Sequence, residues 1–294
     1  MSDAVSSLAV IGATGMLGKH VTRELHRAGF SVRALVRDPG KAKGVLPDEV
    51  EVVRADLRRP VTLLEGMKGM DGLYVSISTG PHEQDADFRT QVEGVRNLLD
   101  AAAESGVRRI GYLSSMVCKY SDYDWWVFDY QRRACDMLRT SELTTLLFYP
   151  SNFYENITEL QMSGGRIMLG GSQKTQSWWV GASDYGKQVA AAFRLEDRSD
   201  REYVIQGPDA YNWREAAEEF IEHYDARKLK TMWSPLWPFR LMGFFSNTLD
   251  FQYQILKAIN HYDEKFAAEE TWKELGRPQT SLADFARQTA QKER

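Results

Sequence analysis

At 294 residues, with 43% apolar and 27% charged residues, the chain is long enough for one large core with an appended cap and has the composition of a soluble globular protein. A formal net charge of only −4 provides no broad basic field for nucleic acid and argues against a factor acting directly on DNA. MSDAVSS at the amino end is too short and polar for a signal peptide, and no uncharged apolar run reaches the roughly 18 residues of a membrane span, so the expected compartment is the cytoplasm.

The first element carries the most information. An apolar run from Ser7 enters GATGMLG, where Gly12, Gly15 and Gly18 follow G-x-x-G-x-x-G spacing ahead of the helix-period segment Lys19 to Ala28. This reads as a dinucleotide-binding strand, turn and helix. Gly12 permits the sharp turn, Gly15 lets a pyrophosphate approach the amides at the helix start, and Gly18 lets the helix lie close to the strand. The second strand, Ser31 to Val36, ends in Arg37, Asp38, Pro39, Gly40 and Lys41. An acid at this point favours NAD by binding the ribose 2′-hydroxyl, whereas arginine accommodates the 2′-phosphate of NADP. Arg37 and Lys41, together with Arg33, outweigh Asp38 and favour NADP(H); a merely solvated cationic face is the competing explanation.

Further strands are expected at Glu51 to Arg54, Gly72 to Ile77 and Arg109 to Leu113, with a helix from about Phe88 to Ser105. A helix from about Phe128 to Thr140 then leads to the strand Thr144 to Tyr149, which stops at Pro150. Such alternation specifies an α/β fold, a Rossmann-type doubly wound parallel sheet covered on both faces. Residues 1–155 are expected to form this domain, with segments near 184–206 returning to it, and residues 156–294 a smaller C-terminal α/β cap that binds substrate. The cap region holds the strand-like Arg166 to Leu169 and helix-like stretches at Trp213 to Tyr224, Asn247 to Ile259 and Leu282 to Gln291. Its aromatics Trp178, Trp179, Trp233, Trp237, Phe239, Phe244 and Phe245 read as a hydrophobic lid or cap core. Cys118 and Cys135 have no metal-ligand spacing, and neither cysteines nor histidines make a defensible metal or nucleophile arrangement, so no metal is expected.

Taken together, GATGMLG, VRALVRDPGK, ADL at Ala55 to Leu57, SIST at Ser76 to Thr79, EGVRNLLDAAAESGVRRIGYLSS, LRTSELTTLLFYPSNFYEN and REYVIQGPDAYNWREAAEEF resemble the NmrA-like family of the atypical short-chain dehydrogenase/reductase superfamily over nearly the whole chain. That family includes NADPH-dependent quinone reductases, relatives of isoflavone reductase, and proteins that bind NADP to sense redox state. The resemblance implies that backbone around Thr14, Gly15, Met16 and Leu17 meets the pyrophosphate, that Arg37 and Lys41 take the 2′-phosphate, and that Asp56 and Leu57 flank the adenine. It also implies that Ser76, Ile77, Ser78 and Thr79 line the crevice near the nicotinamide ribose, with Ser114 and Ser115 beneath and Pro150 to Phe153 against the nicotinamide ring. Hydroxyl residues at strand ends also serve as ordinary turn formers, and Phe153 also fits a core position.

The chain departs from the superfamily in its catalytic pair. Dehydrogenases of this type place Tyr-x-x-x-Lys on the helix after the fifth strand, the lysine lowering the phenol's pKa for proton exchange with substrate. Here those positions fall on Val127 and Gln131. The matches that do occur, Tyr224 with Lys228 and Tyr253 with Lys257, lie in the cap and read as chance pairs on solvated helices. Tyr120, Tyr123 and Tyr130 remain possible proton donors, and YSDYDWWVFDY offers either a flat wall for a planar acceptor or aromatic packing through Trp125, Trp126 and Phe128. The expected function is an NADPH-dependent oxidoreductase passing hydride to an apolar conjugated carbonyl or quinone, with a catalytically silent NADP(H) sensor acting through a protein partner as the alternative. Expected partners are a small apolar substrate, aromatic ones included, and neither nucleic acid nor membrane; the chain is expected to be a monomer or homodimer.

Overall fold

The computed structural model describes residues 5–197 and 199–294. Twelve strands are assigned among the described residues: β1 Ser7–Ile11, β2 Ser31–Val36, β3 Glu51–Arg54, β4 Gly72–Val75, β5 Arg109–Leu113, β6 Thr144–Pro150, β7 Met162–Ser163, β8 Arg166–Gly170, β9 Ser177–Trp179, β10 Arg201–Ile205, β11 Asp209–Tyr211 and β12 Lys230–Ser234. The helices are α1 Gly18–Arg27, α2 Pro60–Met67, α3 Glu93–Ser105, α4 Met116–Tyr120, α5 Trp126–Arg139, α6 Ala182–Arg194, α7 Trp213–His223, α8 Trp237–Gly243, α9 Asn247–His261, α10 Glu269–Leu275 and α11 Leu282–Glu293.

The chain divides into two compact units. The first runs through Ser114 and adds Trp126–Tyr149 and Tyr185–Tyr203; the second comprises Ser115–Trp125, Pro150–Asp184 and Val204–Arg294. In the first, seven strands stand in the order β10-β6-β5-β4-β1-β2-β3. Strands β1 to β6 run parallel, with Val10 beside Ala34 of β2 and Tyr74 of β4. The strand order reverses between β1 and β4, the topological switch point at whose carboxyl side open α/β sheets bind ligands. Every residue of β4 and β5 is buried, which explains why these segments read as continuous apolar runs rather than alternating ones. Arg109 is the exception in charge: its guanidinium donates to the carbonyls of Phe193 (3.3 Å), Leu195 (2.7 Å) and Asp197, closing the carboxyl end of α6.

Several expected boundaries move, that of α3 furthest. Strand β4 stops at Val75, so Ser76 and Ile77 form the loop at its carboxyl end. Helix α3 starts at Glu93 rather than near Phe88, because acidic side chains hold the preceding turn open. Glu83 accepts from the amide and hydroxyl of Thr90, and Glu93 from the amide and guanidinium of Arg89.

The second unit has its own core of Tyr154, Ile157, Ile167, Leu169, Trp179, Trp213, Phe220 and Leu282 with small residues of α7 and α11. Trp179 is fully buried, 4.5 Å edge-on from Trp213, and its Nε1 donates to Tyr211 O at 3.0 Å. Trp233, Trp237, Phe244 and Phe245 instead stand 52, 64, 75 and 92% exposed, which corrects the cap-core half of the expectation of a lid or cap core. Tyr224 corrects the other way: it is buried at the end of α7, its hydroxyl donating to Glu293 (2.5 Å), rather than on a solvated face. No helix among the described residues is long and apolar enough to cross a membrane.

Candidate functional site

The glycine turn is built on two close approaches, of Gly12 to Ser76 and of Gly15 and Gly18 to Gly12. Gly12 has φ +80°, and a Cβ there would sit 1.9 Å from the Ser76 carbonyl oxygen. Gly18 opens α1, and a Cβ on it would meet Gly12 O at 2.0 Å, so the close approach it permits is to the turn at Gly12 and Ala13 and not, as expected, to the strand. Gly15 is exposed and donates to Gly12 O at 2.9 Å. The turn therefore packs onto the loop after β4 through backbone alone, which places Gly12 and Ser76 together at the switch point. Ser76 N donates to Ile11 O at 3.0 Å. The amides of Thr14, Met16 and Leu17 donate no hydrogen bond among the described residues. Free amides ahead of a helix start are what an anionic pyrophosphate takes up.

The cations after β2 separate into two groups. Arg37 and Lys41 are exposed, and their side chains have no hydrogen bond or ion pair among the described residues. Asp38 spends its Oδ1 on the amide of Gly40 at 3.0 Å, capping the short turn Pro39–Lys41. Arg33 does not join them, contrary to the expectation. Its Nε donates to Glu51 Oε2 at 2.7 Å and its Nη1 to the carbonyls of Gly66 and Lys68 at 3.0 and 2.9 Å, tying β2 to β3 and the end of α2.

Asp56 and Leu57 shape the loop after β3. Asp56 accepts from the Arg58 amide at 2.9 Å, and the Leu57 carbonyl accepts from Asn97 Nδ2 at 2.8 Å. Beyond Ser76, Ile77 and exposed Ser78, Thr79 turns inward: its hydroxyl donates to Gln91 Oε1 at 2.7 Å, and Gln91 Nε2 donates to Tyr112 OH at 3.0 Å. Ser114 is buried, its amide donating to Phe148 O (2.8 Å) and its hydroxyl accepting from Cys135 Sγ (3.5 Å). Burial raises the Cys135 thiol, and both cysteines are free and buried. Val127 and Gln131 lie half-buried on α5, with no phenol or ammonium.

In the second unit Ser115 caps α4, accepting from the Cys118 amide at 3.2 Å. Pro150 and Phe153 are buried, and Phe153 bridges Val180 in a parallel pairing. Between them Ser151 Oγ bonds Glu264 Oε2 at 2.8 Å. Glu264 is buried; its Oε1 accepts from Gln206 Nε2 at 2.6 Å and from the Trp178 amide at 3.1 Å. Desolvation raises its carboxyl to about 7 against the pull of those bonds. Ser151 lies in the span Pro150 to Phe153 that the resemblance points to, but no sequence motif marks Glu264 or the pairing, because the partners are 113 residues apart.

Of the candidate tyrosines, Tyr123 donates to Gln254 (2.5 Å), with burial raising it to about 12, and Tyr130 donates to Gln84 O (2.8 Å), so both hydroxyls are committed to structure. Trp125 packs edge-on against Phe251 at 5.0 Å and Trp126 against Tyr130 at 5.2 Å. Glu219, Glu222 and His223 of α7 bring ligand atoms within 4.8 Å of one another, the spacing of helix neighbours, and need no ion to explain it.

The chain is 25% identical over 214 residues to the NAD(P)H azoreductase of Xenophilus azovorans, covering 71% of each chain. It is 25% identical over 221 residues to the photosystem II assembly factor Ycf39 of Guillardia theta, 74% of this chain and 68% of that one. The fold matches that of the NADPH-dependent quinone oxidoreductase QOR2 of Escherichia coli complexed with NADPH, with TM-score 0.71, 20% identity, and 96% and 99% of the two chains covered. The NAD(P)H-binding family model matches residues 12–177, more than half of the 294, opening on the first glycine of the turn; this chain belongs to that NAD(P)H-binding family.

Proposed function

We propose that this chain is an NADPH-dependent reductase that passes hydride to a small apolar conjugated carbonyl or quinone. The observation that carries the reading is the uncommitted pair Arg37 and Lys41 at the end of β2, combined with the free amides of the glycine turn. In this reading the free amides of Thr14, Met16 and Leu17 hold the pyrophosphate, with Gly15 leaving room for its approach, and Arg37 and Lys41 grip the 2′-phosphate, where a guanidinium offers forked, charge-assisted bonds. Asp56 and Leu57 flank the adenine, Ser76 to Thr79 and the serines Ser114 and Ser115 line the ribose side, and Pro150 to Phe153 face the nicotinamide. Residues 156–294, apart from the segments near 184–206, supply the substrate-binding cap. Bound there, the nicotinamide supplies two electrons as hydride; this chain's residues orient it and exclude water.

The reductase relatives support the reaction class. Without Tyr-x-x-x-Lys, a conjugated acceptor whose developing charge is spread over several atoms suits this chain better than an unactivated alcohol or ketone. A second reading, a silent NADP(H) sensor, draws on the same missing pair and on the likeness to an assembly factor. Purified protein mixed with NADPH and a panel of quinones, enones and aromatic aldehydes, with NADH in parallel, decides between them. Saturable consumption that prefers NADPH is expected. Tight NADPH binding without consumption replaces the reductase by the sensor, and failure to bind NADPH overturns both.

A further inference from the structure

We infer that Ser151 is the proton donor to the acceptor's carbonyl oxygen and that Glu264 is the buried acid that supplies it, a pair doing the work of the missing tyrosine and lysine. The inference rests on the reductase reading above. It starts from chain topology: Ser151 directly follows β6, at the carboxyl end of a sheet strand, between the two residues read as facing the nicotinamide.

The hydrogen bonds fix where a proton resides. Glu264 Oε1 is saturated by two donors, Gln206 Nε2 at 2.6 Å and the Trp178 amide at 3.1 Å, so a carboxyl proton belongs on Oε2. That atom's partner is the Ser151 hydroxyl at 2.8 Å. When Glu264 is protonated it donates to Ser151 Oγ, which turns the serine's own proton outward; Ser151 has no other side-chain hydrogen bond among the described residues. No cation pairs with Glu264 among the described residues. The groups bonding it from the ends of β6, β10 and from β9 are all neutral; its titratable neighbours are Tyr262, itself raised to about 12, and Asp263 and Lys265 in the same loop. A buried carboxyl without a countercharge holds its proton into the neutral range, where a general acid is most useful.

The step balances. As hydride adds to the conjugated acceptor, the electron pair of the C=O π bond moves to oxygen, which forms an O–H bond with the Ser151 proton. The Ser151 O–H bond breaks while the Oε2–H proton of Glu264 moves to Oγ, and Glu264, left ionised, is reprotonated from solvent.

The test uses the full chain with a quinone acceptor and three variants. Glu264→Gln keeps all three hydrogen bonds, its amide donating to Ser151, but has no proton to give. Its kcat is expected to fall roughly 100-fold with KM and NADPH affinity within about twofold, and its pH profile to lose the limb that falls above about pH 7. Ser151→Ala should fall equally, and Ser151→Thr should restore kcat to within a few-fold. Independently of turnover, infrared spectra of the cofactor-free protein should show a protonated carboxyl band that disappears near pH 7 and is missing from Glu264→Gln. Wild-type turnover with an unaltered kcat or pH limb in Glu264→Gln overturns the relay while leaving the reductase reading intact, as does a band that titrates near 4.5. Absence of wild-type turnover with every acceptor overturns both.

Discussion

Replacing Arg37 by alanine isolates the cofactor claim, because the folded chain makes no use of this side chain. Arg37 is exposed, and its guanidinium has no partner among the described residues. Its removal should therefore leave stability within about 0.5 kcal/mol of wild type, as for surface sites in general. Toward the cofactor the accounting differs. A hydrogen bond to a charged group is worth about 1.5 to 3 kcal/mol, and each 1.4 kcal/mol is tenfold, so NADPH affinity should fall by about 12- to 150-fold. NADH lacks the 2′-phosphate and should bind Arg37→Ala within about twofold of wild type. Lys41→Ala, a point charge without the fork, should lose less. Calorimetric titration with both cofactors, beside a thermal melt, measures all of this. Equal losses for NADPH and NADH, or none for either, would refute the assignment of Arg37 to the 2′-phosphate.

Gly12→Ala must adopt φ +80° with its Cβ 1.9 Å from Ser76 O, and should destabilise the fold by about 3 to 5 kcal/mol by denaturant titration; a smaller loss would mean the turn relaxes easily. Trp179→Ala empties the second unit's core and should cost about 3 to 5 kcal/mol, whereas Phe245→Ser, at a site 92% exposed, should stay within about 0.5 kcal/mol. Glu264 predicts a pH dependence with a definite sign. Its folded value, about 7, lies above the ordinary 4.5, so the folded state holds the proton more tightly. Its stability contribution is complete below about pH 4.5 and declines as pH rises to about 7, by on the order of 3 kcal/mol. Denaturation of wild type and Glu264→Gln at pH 5 and pH 8 should show this difference, and parallel curves would exclude it.

What the sequence reveals depends on how far apart the partners stand. The glycine turn and the short turn after β2 are legible because each closes within a few residues: Gly12 and Gly18 meet across one turn, and Asp38 caps the residue two ahead of it. The meeting of Ser151, Gln206 and Glu264 carries no such signal; Ser151 and Gln206 follow β6 and β10, neighbours in the sheet, and the loop after α9 brings Glu264 to them. Arg33 stands apart from Arg37 for a similar reason. Chain order puts it four residues from Arg37, while its side chain answers to Glu51 across a strand pair and to carbonyls at the end of α2. The aromatics show the limit of composition. Trp179 and Phe245 contribute equally to an apolar count, yet one is sealed against Trp213 and the other faces water, since only the first lies on a strand that α7 covers.

The interleaving of the two units bears on how the protein is made. A ribosome delivers β6 well before β10, which adjoins it in the sheet, and the first unit is not complete until Tyr203 of 294 has emerged. Until then β6 offers the nascent chain a bare hydrogen-bonding edge, the kind of surface that recruits wrong partners. A product of interrupted translation ending near residue 155 would contain every residue of the glycine turn, yet it would lack the edge strand and the helix whose end Arg109 closes. Such a fragment should be a client for chaperones rather than a free-standing cofactor-binding domain.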